Sequence, residues 1–348
     1  GEYREPDLSF VESAAQLISE TLESGQLVVL ESTTYPTTTR EVVAPILERS
    51  GLRAGQDFHL AFSPEREDPG RTDYDTTSIP KLVGGIDEAS GAVARALYSA
   101  AVKEVHLVES AEVAEAAKLL ENIFRAVNIA LVNELKVVLD AMHIDVWQVV
   151  EAASTKPFGF MRFTPGPGMG GHCIPIDPFY LSWIARKVGS SSKFIELAGE
   201  INRRMPHYVV ERTQLALNER GKALKDARIL ILGLAFKPDV DIITESPSVE
   251  LIKLLQRYEA RVAYSDPFVP ELSNEAPAPL RGLRSVDLDA ETLAGADVII
   301  LATHHSCFDY DAIAGLIQQA DNRPHHRRHR RHNRQQIRQR KILLAYML

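Results

Sequence analysis

Arg228-Ile229-Leu230-Ile231-Leu232-Gly233 is the stretch that decides the fold class. Four consecutive large apolar residues carry neither a helical stripe nor a period of two, which suits a strand buried on both faces. Gly233 turns the chain, and Ser246-Pro247 opens a helix, with Ser at the cap and Pro in the first turn. Arg261 to Tyr264 and Asp297 to Ala302 are further strands, and a short helix is expected over about 311–319. Buried strands separated by helices indicate a parallel α/β layer, whose ligands bind beyond the carboxyl ends of the strands.

The same alternation occurs nearer the start. Leu27-Val28-Val29-Leu30, His59-Leu60-Ala61-Phe62, Lys81 to Gly85 and His106 to Glu109 read as strands. Helices are expected over 39–50, closed by Gly51, and around 88–100. Between the two α/β regions, Leu119, Ile123, Val127, Leu131, Leu135 and Val138 recur at helical spacing within 112–141. That pattern predicts one helix about 30 residues long, a length that commonly bridges domains or packs a dimer. Pro- and Gly-rich loop material over 157–178 follows, and helix resumes to about residue 220.

Composition bounds the function classes. The chain has 348 residues, is 45% hydrophobic and 25% charged, and so has the make-up of a folded globular protein. Its net charge is −8; the last 25 residues contribute +8, so residues 1–323 carry −16. An acidic body argues against a nucleic-acid surface, and no apolar run is long enough for a membrane span. The His325–His332 run and its neighbours read as a solvated, unpacked basic tail, with an anion-binding arm or a slipped reading frame near Arg323 as alternatives. Two cysteines make no disulfide framework, which favours a reducing cytoplasm.

Gly166-Pro167-Gly168-Met169-Gly170-Gly171 matches G-x-G-x-x-G by letters, but no strand precedes it and prolines stiffen it, so it is rejected as a dinucleotide fingerprint. Instead it delivers Cys173, four residues before Asp177. A thiol on a glycine-rich loop beside a carboxylate suits covalent catalysis at a carbonyl, against the ordinary reading of a lone cysteine as a small buried hydrophobe. Cys307, beside His304 and His305, is read as structural, and the spacing there is not that of a metal site. Lys118 and Asn122 lie one turn apart on the long helix. They read as a solvated face unless that face looks at Cys173, where an ammonium and an amide would hold an oxyanion.

Taken together, Glu31-Ser32-Thr33-Thr34-Tyr35-Pro36, Ser63-Pro64-Glu65-Arg66, the Glu115–Asn122 stretch, Gly168 to Pro178, Phe194 to Asn202 and Ala235-Phe236-Lys237-Pro238-Asp239 resemble the nucleotide-sugar 6-dehydrogenases, the UDP-glucose/GDP-mannose dehydrogenase family. The forms Ser-Pro-Glu-Arg, Pro-Gly-Pro-Gly and Gly-His-Cys-Ile-Pro-Ile-Asp-Pro lean towards the branch that oxidises UDP-N-acetylglucosamine. The resemblance implies an α/β protein with two Rossmann-like parallel-sheet domains joined by a long central helix, the first incomplete. Residues 1–110 would be the remainder of an NAD-binding domain, 111–220 a central helical domain for catalysis and dimerisation, 221–323 a UDP-sugar-binding domain, and 324–348 a disordered tail.

The implied reaction is a four-electron oxidation of the sugar C6 alcohol to a uronate with NAD, through a cysteine thiohemiacetal and thioester, supplying a surface-polysaccharide precursor. Cys173 would be the nucleophile. Lys118 and Asn122 would hold the oxyanion, Asp177 would help a proton-transferring water, and Glu65 would assist hydrolysis. Thr33 would lie near the reacting centre and, with Ser32 and Glu65, near NAD. Phe163, Gly168, Gly170, Gly171 and Lys237 would contact the substrate. A cytoplasmic homodimer through the central helix is implied, with no metal, nucleic acid or membrane.

There are departures from the family pattern. Residues 1–26 lack the glycine-rich pyrophosphate turn, so the resemblance implies that about 90–100 residues, comparable to a small domain, are absent. Thr37 stands where the family usually has Gly, and Ile242 and Thr244 replace an expected Asp and Arg. The rival expectations are a non-catalytic sugar-nucleotide-binding or dimerisation module, and a dehydrogenase for UDP-glucose or UDP-N-acetylmannosamine.

Overall fold

The structure, a computed structural model, describes residues 6–68, 70, 73–171, 174–272, 276, 280–322 and 342–345. The chain forms two compact units: residues 1–127 with 173–199, and 128–172 with 200–348. Among the described residues no helix is long and apolar enough to cross a membrane.

The first unit holds a four-stranded sheet, β1 (Leu27–Leu30), β2 (His59–Phe62), β3 (Lys81–Gly85) and β4 (Val105–Val108), in that spatial order. β1–β2 and β3–β4 are parallel, as expected. β2–β3 is antiparallel, with Phe62 opposite Gly84, so the sheet is mixed. Among its described residues the 63–80 connection contains no crossover helix, and without one a chain cannot return to start a parallel neighbour. Helix α1 (Ser9–Ser19) packs with the 39–50 segment over Leu47, Phe58 and Leu60. That segment is not one α-helix: it runs as a π-turn over Thr39–Val43, α2 (Ala44–Leu47) and a 3-10 turn to Ser50. Pro45 has no N–H to donate, which breaks the regular ladder. On the other part of the sheet lies α3 (Glu88–Ser99), capped by Asp87, whose carboxylate accepts from Ser90 N–H at 2.7 Å.

The long helix is present as α4 (Ala111–Ala141), 31 residues, and its residues are divided between the two units. Then come α5 (Val146–Ser154), α6 (Asp177–Lys187) and α7 (Lys193–Asn218).

The second sheet has the spatial order β6-β5-β7-β8, all parallel: β5 (Arg228–Leu232), β6 (Arg261–Ser265), β7 (Val298–Leu301) and β8 (Ile342–Ala345). Helices α8 (Pro247–Arg257), α9 (Ala290–Gly295) and α10 (Tyr310–Asn322) connect or flank the strands. Ile229, Ile231, Leu251, Leu255 and Ile300 form the main core; Leu230, Leu232, Ile299 and Phe308 form a second. Chain direction splits to either side of β5, which makes its carboxyl end a topological switch point.

β8 corrects the expectation that 324–348 is disordered throughout. The basic charge of the tail ends at Lys341, and Ile342-Leu343-Leu344-Ala345, which has none, pairs with Val298–Leu301. The His325–His332 run lies outside the described residues.

Candidate active site

In the first unit, α4 and the start of α6 bring Lys118, Asn122 and Asp177 together. Asn122 Nδ2 donates to Asp177 Oδ2 at 2.7 Å, and both residues are buried. Burial pushes the Asp177 carboxyl up to about 7, against the Asn122 hydrogen bond and the Lys118 charge, which pull it down. A carboxyl group poised there exchanges a proton near neutrality, as a general acid or base must. Cys173, four residues upstream, lies outside the described residues, as does His172.

Glu65 follows β2 in an exposed position and has a different partner. Lys81 Nζ lies 3.0 Å from Glu31 Oε1 and 3.7 Å from Glu65 Oε2, placing an ammonium between the carboxyl ends of β1 and β2. Tyr98 donates to Glu31 Oε1 at 2.6 Å; burial, then that carboxylate, hold its phenol protonated beyond the usual range. Lys81 was legible only as the first residue of a strand.

Ser32 is exposed and Thr33 half-buried at the carboxyl end of β1. Thr34 beside them is buried, and its hydroxyl has no hydrogen-bond partner among the described residues. A buried orphan hydroxyl at a strand's carboxyl end fits a bound polar cofactor. The following turn is clamped by Glu115, fully buried on α4. Its carboxylate accepts from Thr39 N (2.8 Å), Thr39 Oγ1 (2.7 Å) and Thr37 N (2.7 Å). Burial still pushes this carboxyl up to about 7. Thr37 has φ +87°, the left-handed region in which glycine is at ease, which accounts for the residue type expected there.

In the second unit the glycine-rich loop packs against protein. A Cβ on Gly170 would lie 2.8 Å from Glu245 O and 2.9 Å from Phe236 Cβ; one on Gly171 would lie 2.9 Å from the Phe236 ring. The glycines thus allow the loop to rest on Phe236 and the 244–247 turn. Gly168 likewise abuts Pro247. Gly166 N–H donates to Asn133 Oδ1 at 2.9 Å, and Asn133 in turn donates to Asn202 at 2.9 Å. Phe163 is half-buried before this loop. Lys237, half-buried, follows β5, its Nζ 5.7 Å from the Phe236 ring centre. Ile242 and Thr244, the two departures, serve the loop through their backbone: Ile242 O accepts from Phe236 N–H and Thr244 O from Gly171 N–H. Cys307 corrects its reading as a buried structural residue: it is exposed, and Phe308 fills the buried place beside it.

Comparison with known proteins covers nearly the whole chain. Profiles of the UDP-glucose/GDP-mannose dehydrogenase family match residues 1–102 (NAD binding domain), 112–204 (central domain) and 230–326 (UDP binding domain). The first match corrects the expectation that the NAD-binding half is cut away, since that domain is represented in residues 1–102. A UDP-N-acetyl-D-glucosamine 6-dehydrogenase of Pseudomonas aeruginosa is 37% identical over 309 residues, 88% of this chain and 72% of the relative. The solved UDP-N-acetyl-D-mannosamine dehydrogenase of Pyrococcus horikoshii matches with a TM-score of 0.79 at 34% identity, over 90% of this chain and 71% of the other. An NDP-N-acetyl-D-galactosaminuronic acid dehydrogenase of Methanosarcina mazei matches at 0.78 and 33% identity, over 90% and 67%.

Proposed function

This chain belongs to the UDP-glucose/GDP-mannose dehydrogenase family of NAD-dependent nucleotide-sugar dehydrogenases, and we propose that it oxidises the C6 alcohol of a UDP-N-acetylhexosamine, UDP-N-acetylglucosamine first among them, to the uronate. The single observation that carries the reading is the buried Asn122–Asp177 contact beside Lys118, four residues from Cys173 in the chain.

NAD, when bound, accepts hydride from the sugar C6. Ser32, Thr33 and the Thr34 hydroxyl would hold it, with Glu65 nearby, a reading supported by the buried, unpartnered Thr34 hydroxyl at the end of β1. The chain's own residues do the rest. Asp177, through a water, takes the C6 hydroxyl proton as the alcohol becomes an aldehyde. Cys173 thiolate then forms a bond to that carbon, giving a thiohemiacetal whose oxyanion is held by the Lys118 ammonium and the Asn122 amide. Loss of a second hydride, to a second NAD exchanged for the NADH already formed, would leave a thioester. Water, assisted by Glu65, breaks the C–S bond and restores the thiol, releasing the carboxylate. A covalent intermediate retains what would be a free aldehyde. Phe163, Gly168, Gly170, Gly171 and Lys237 would contact the substrate.

We further propose a homodimer through α4, supported by the exposure of Leu120, Phe124, Leu131, Leu135 and Val138 along it.

The test is NADH formation by the whole protein with UDP-N-acetylglucosamine, UDP-N-acetylmannosamine, UDP-N-acetylgalactosamine and UDP-glucose. The expected result is two NADH per uronate, fastest with UDP-N-acetylglucosamine, and none from Cys173→Ala. Full two-NADH turnover in that variant would overturn the mechanism; preference for UDP-glucose would overturn the substrate.

A further inference from the structure

The segment Leu234–Asp239 has no regular secondary structure, yet its backbone is tied down on both sides. Leu234 N–H and Ala235 N–H donate to Asp266 Oδ2 at 2.6 and 2.9 Å. Ser246 Oγ donates to Leu234 O, and Thr303 Oγ1 to Ala235 O, each at 2.7 Å. Asp239 N–H donates to His305 Nδ1 at 3.0 Å. Because Nδ1 accepts, the neutral ring carries its proton on Nε2, which lies 3.0 Å from Asp266 Oδ2 and donates to it. Asp266 Oδ1 also accepts from Phe268 N–H (2.8 Å) and Val269 N–H (3.2 Å). Asp266 and His305 are both buried, and Phe268 and Phe308 pack on the imidazole at 4.9 and 5.4 Å.

The arrangement has a direction. Asp266 follows β6 and His305 follows β7, so the pair reaches across the carboxyl end of β5 at the switch point. What it holds is the turn that carries Phe236 and Lys237. Phe236 is the floor on which Gly170 and Gly171 rest, immediately before His172-Cys173 in the chain. The buried Asp–His pair thus accepts five backbone N–H donors, from Leu234, Ala235, Asp239, Phe268 and Val269, besides the hydrogen bond between its own members. We infer that Asp266 and His305 are positioning residues for the reaction, fixing the 234–239 turn so that Lys237 is presented to the nucleotide sugar. The inference rests on the substrate role proposed for Lys237.

A double-mutant cycle on the whole protein tests it, with UDP-N-acetylglucosamine binding followed by calorimetry. Lys237→Ala sets the scale, at a loss of about tenfold or more in affinity. His305→Gln keeps a donor for Asp266 but loses the acceptor for Asp239 N–H, and is expected to weaken binding about tenfold. His305→Asn keeps that acceptor and is expected to restore most of the affinity. In the Lys237→Ala background, His305→Gln is expected to cost almost nothing more, because groups acting through one another are not additive. Thr303→Val removes the independent tie to Ala235 with the side-chain shape kept, and should follow the same pattern. If Lys237→Ala leaves affinity unchanged, the substrate role of Lys237 fails and the inference with it. If Lys237→Ala weakens binding but His305→Gln and Thr303→Val do not, or cost their full effect in the Lys237→Ala background, the positioning inference alone is overturned.

Discussion

Asp177 in the first unit and Asp266 in the second are both buried, the one at the start of a helix and the other just after a strand, yet their carboxyls are shifted in opposite directions. Among the described residues Asp177 accepts one hydrogen bond, from Asn122, with the Lys118 charge in support, and burial wins: its carboxyl rises to about 7. At Asp266 burial is again the largest influence and acts upwards, but His305, Ala235 and Leu234 together outweigh it and hold the carboxyl below its usual value. The difference teaches that burial alone does not assign a role. Asp177 is left free to move a proton, whereas Asp266, held by an imidazole and backbone donors, stays an anion and a strut; Glu115, with three donors and no such imidazole, is still pushed up to about 7, so donor number by itself does not decide the outcome.

The largest effect that would break this comparison is on turnover. Asp177→Asn keeps the shape but cannot take a proton, and NADH formation is expected to fall by about 10²–10⁴-fold with substrate affinity retained. Wild-type turnover is expected to fall as pH drops through about 7, since the working form is the ionised one. Loss of that limb in a pH profile of Asp177→Asn would sharpen the assignment; an unaltered limb would break it.

Asp266→Asn should act on stability instead. It leaves one acceptor oxygen for five donors, and chemical denaturation is expected to show a loss of about 1–3 kcal/mol, the usual cost of leaving a buried donor without its acceptor.

A smaller effect separates the two residues by sign. The folded pKa of Asp177 lies above its ordinary value of 3.8, so folding favours the protonated form. The cost is absent below about 3.8 and grows as pH rises to about 7. Asp177→Asn is therefore expected to stabilise the protein at pH 8 by roughly 1 kcal/mol or more, about 2–4 °C in melting temperature, and to do little at pH 4. Equal shifts at both pH values would contradict this.

The smallest test uses the third buried carboxylate, Glu115, which holds the 37–39 turn through two backbone donors and one hydroxyl. Thr37→Gly keeps the N–H that Glu115 accepts and removes the strain of a β-branched residue at φ +87°. A gain of about 0.5–1 kcal/mol in thermal denaturation is expected; a loss would mean that the Thr37 Oγ1–Glu41 contact at 3.0 Å outweighs the strain.

Much of the frame was legible because it depends on local pattern. The α4 stripe gave a helix within a residue of its observed start, and β1, β2, β3 and β5 followed from short apolar runs. The Lys118–Asn122 face was legible from one turn of spacing; its contact with Asp177 was not, since 55 residues separate Asn122 from Asp177. The antiparallel β2–β3 pair was not, since direction is set by the 63–80 connection and not by either strand's residues. Nor was the Asp266–His305 pair: 39 residues separate its members, and each alone reads as a loop residue after a strand. Lys81 escaped for the same reason, since what matters is which strand ends the sheet brings beside it. Cys307 was misread because the burial habit of cysteine says nothing about which neighbour takes the core position.

The most direct measurement is the titration of the two aspartates in the folded protein, followed by carboxyl ¹³C shifts and assigned with Asp177→Asn and Asp266→Asn. The expected result is a transition near pH 7 for Asp177 and no protonation of Asp266 within the range where the protein stays folded. A transition for Asp177 near 4, or one for Asp266 above it, would contradict the division of these two aspartates into proton carrier and strut.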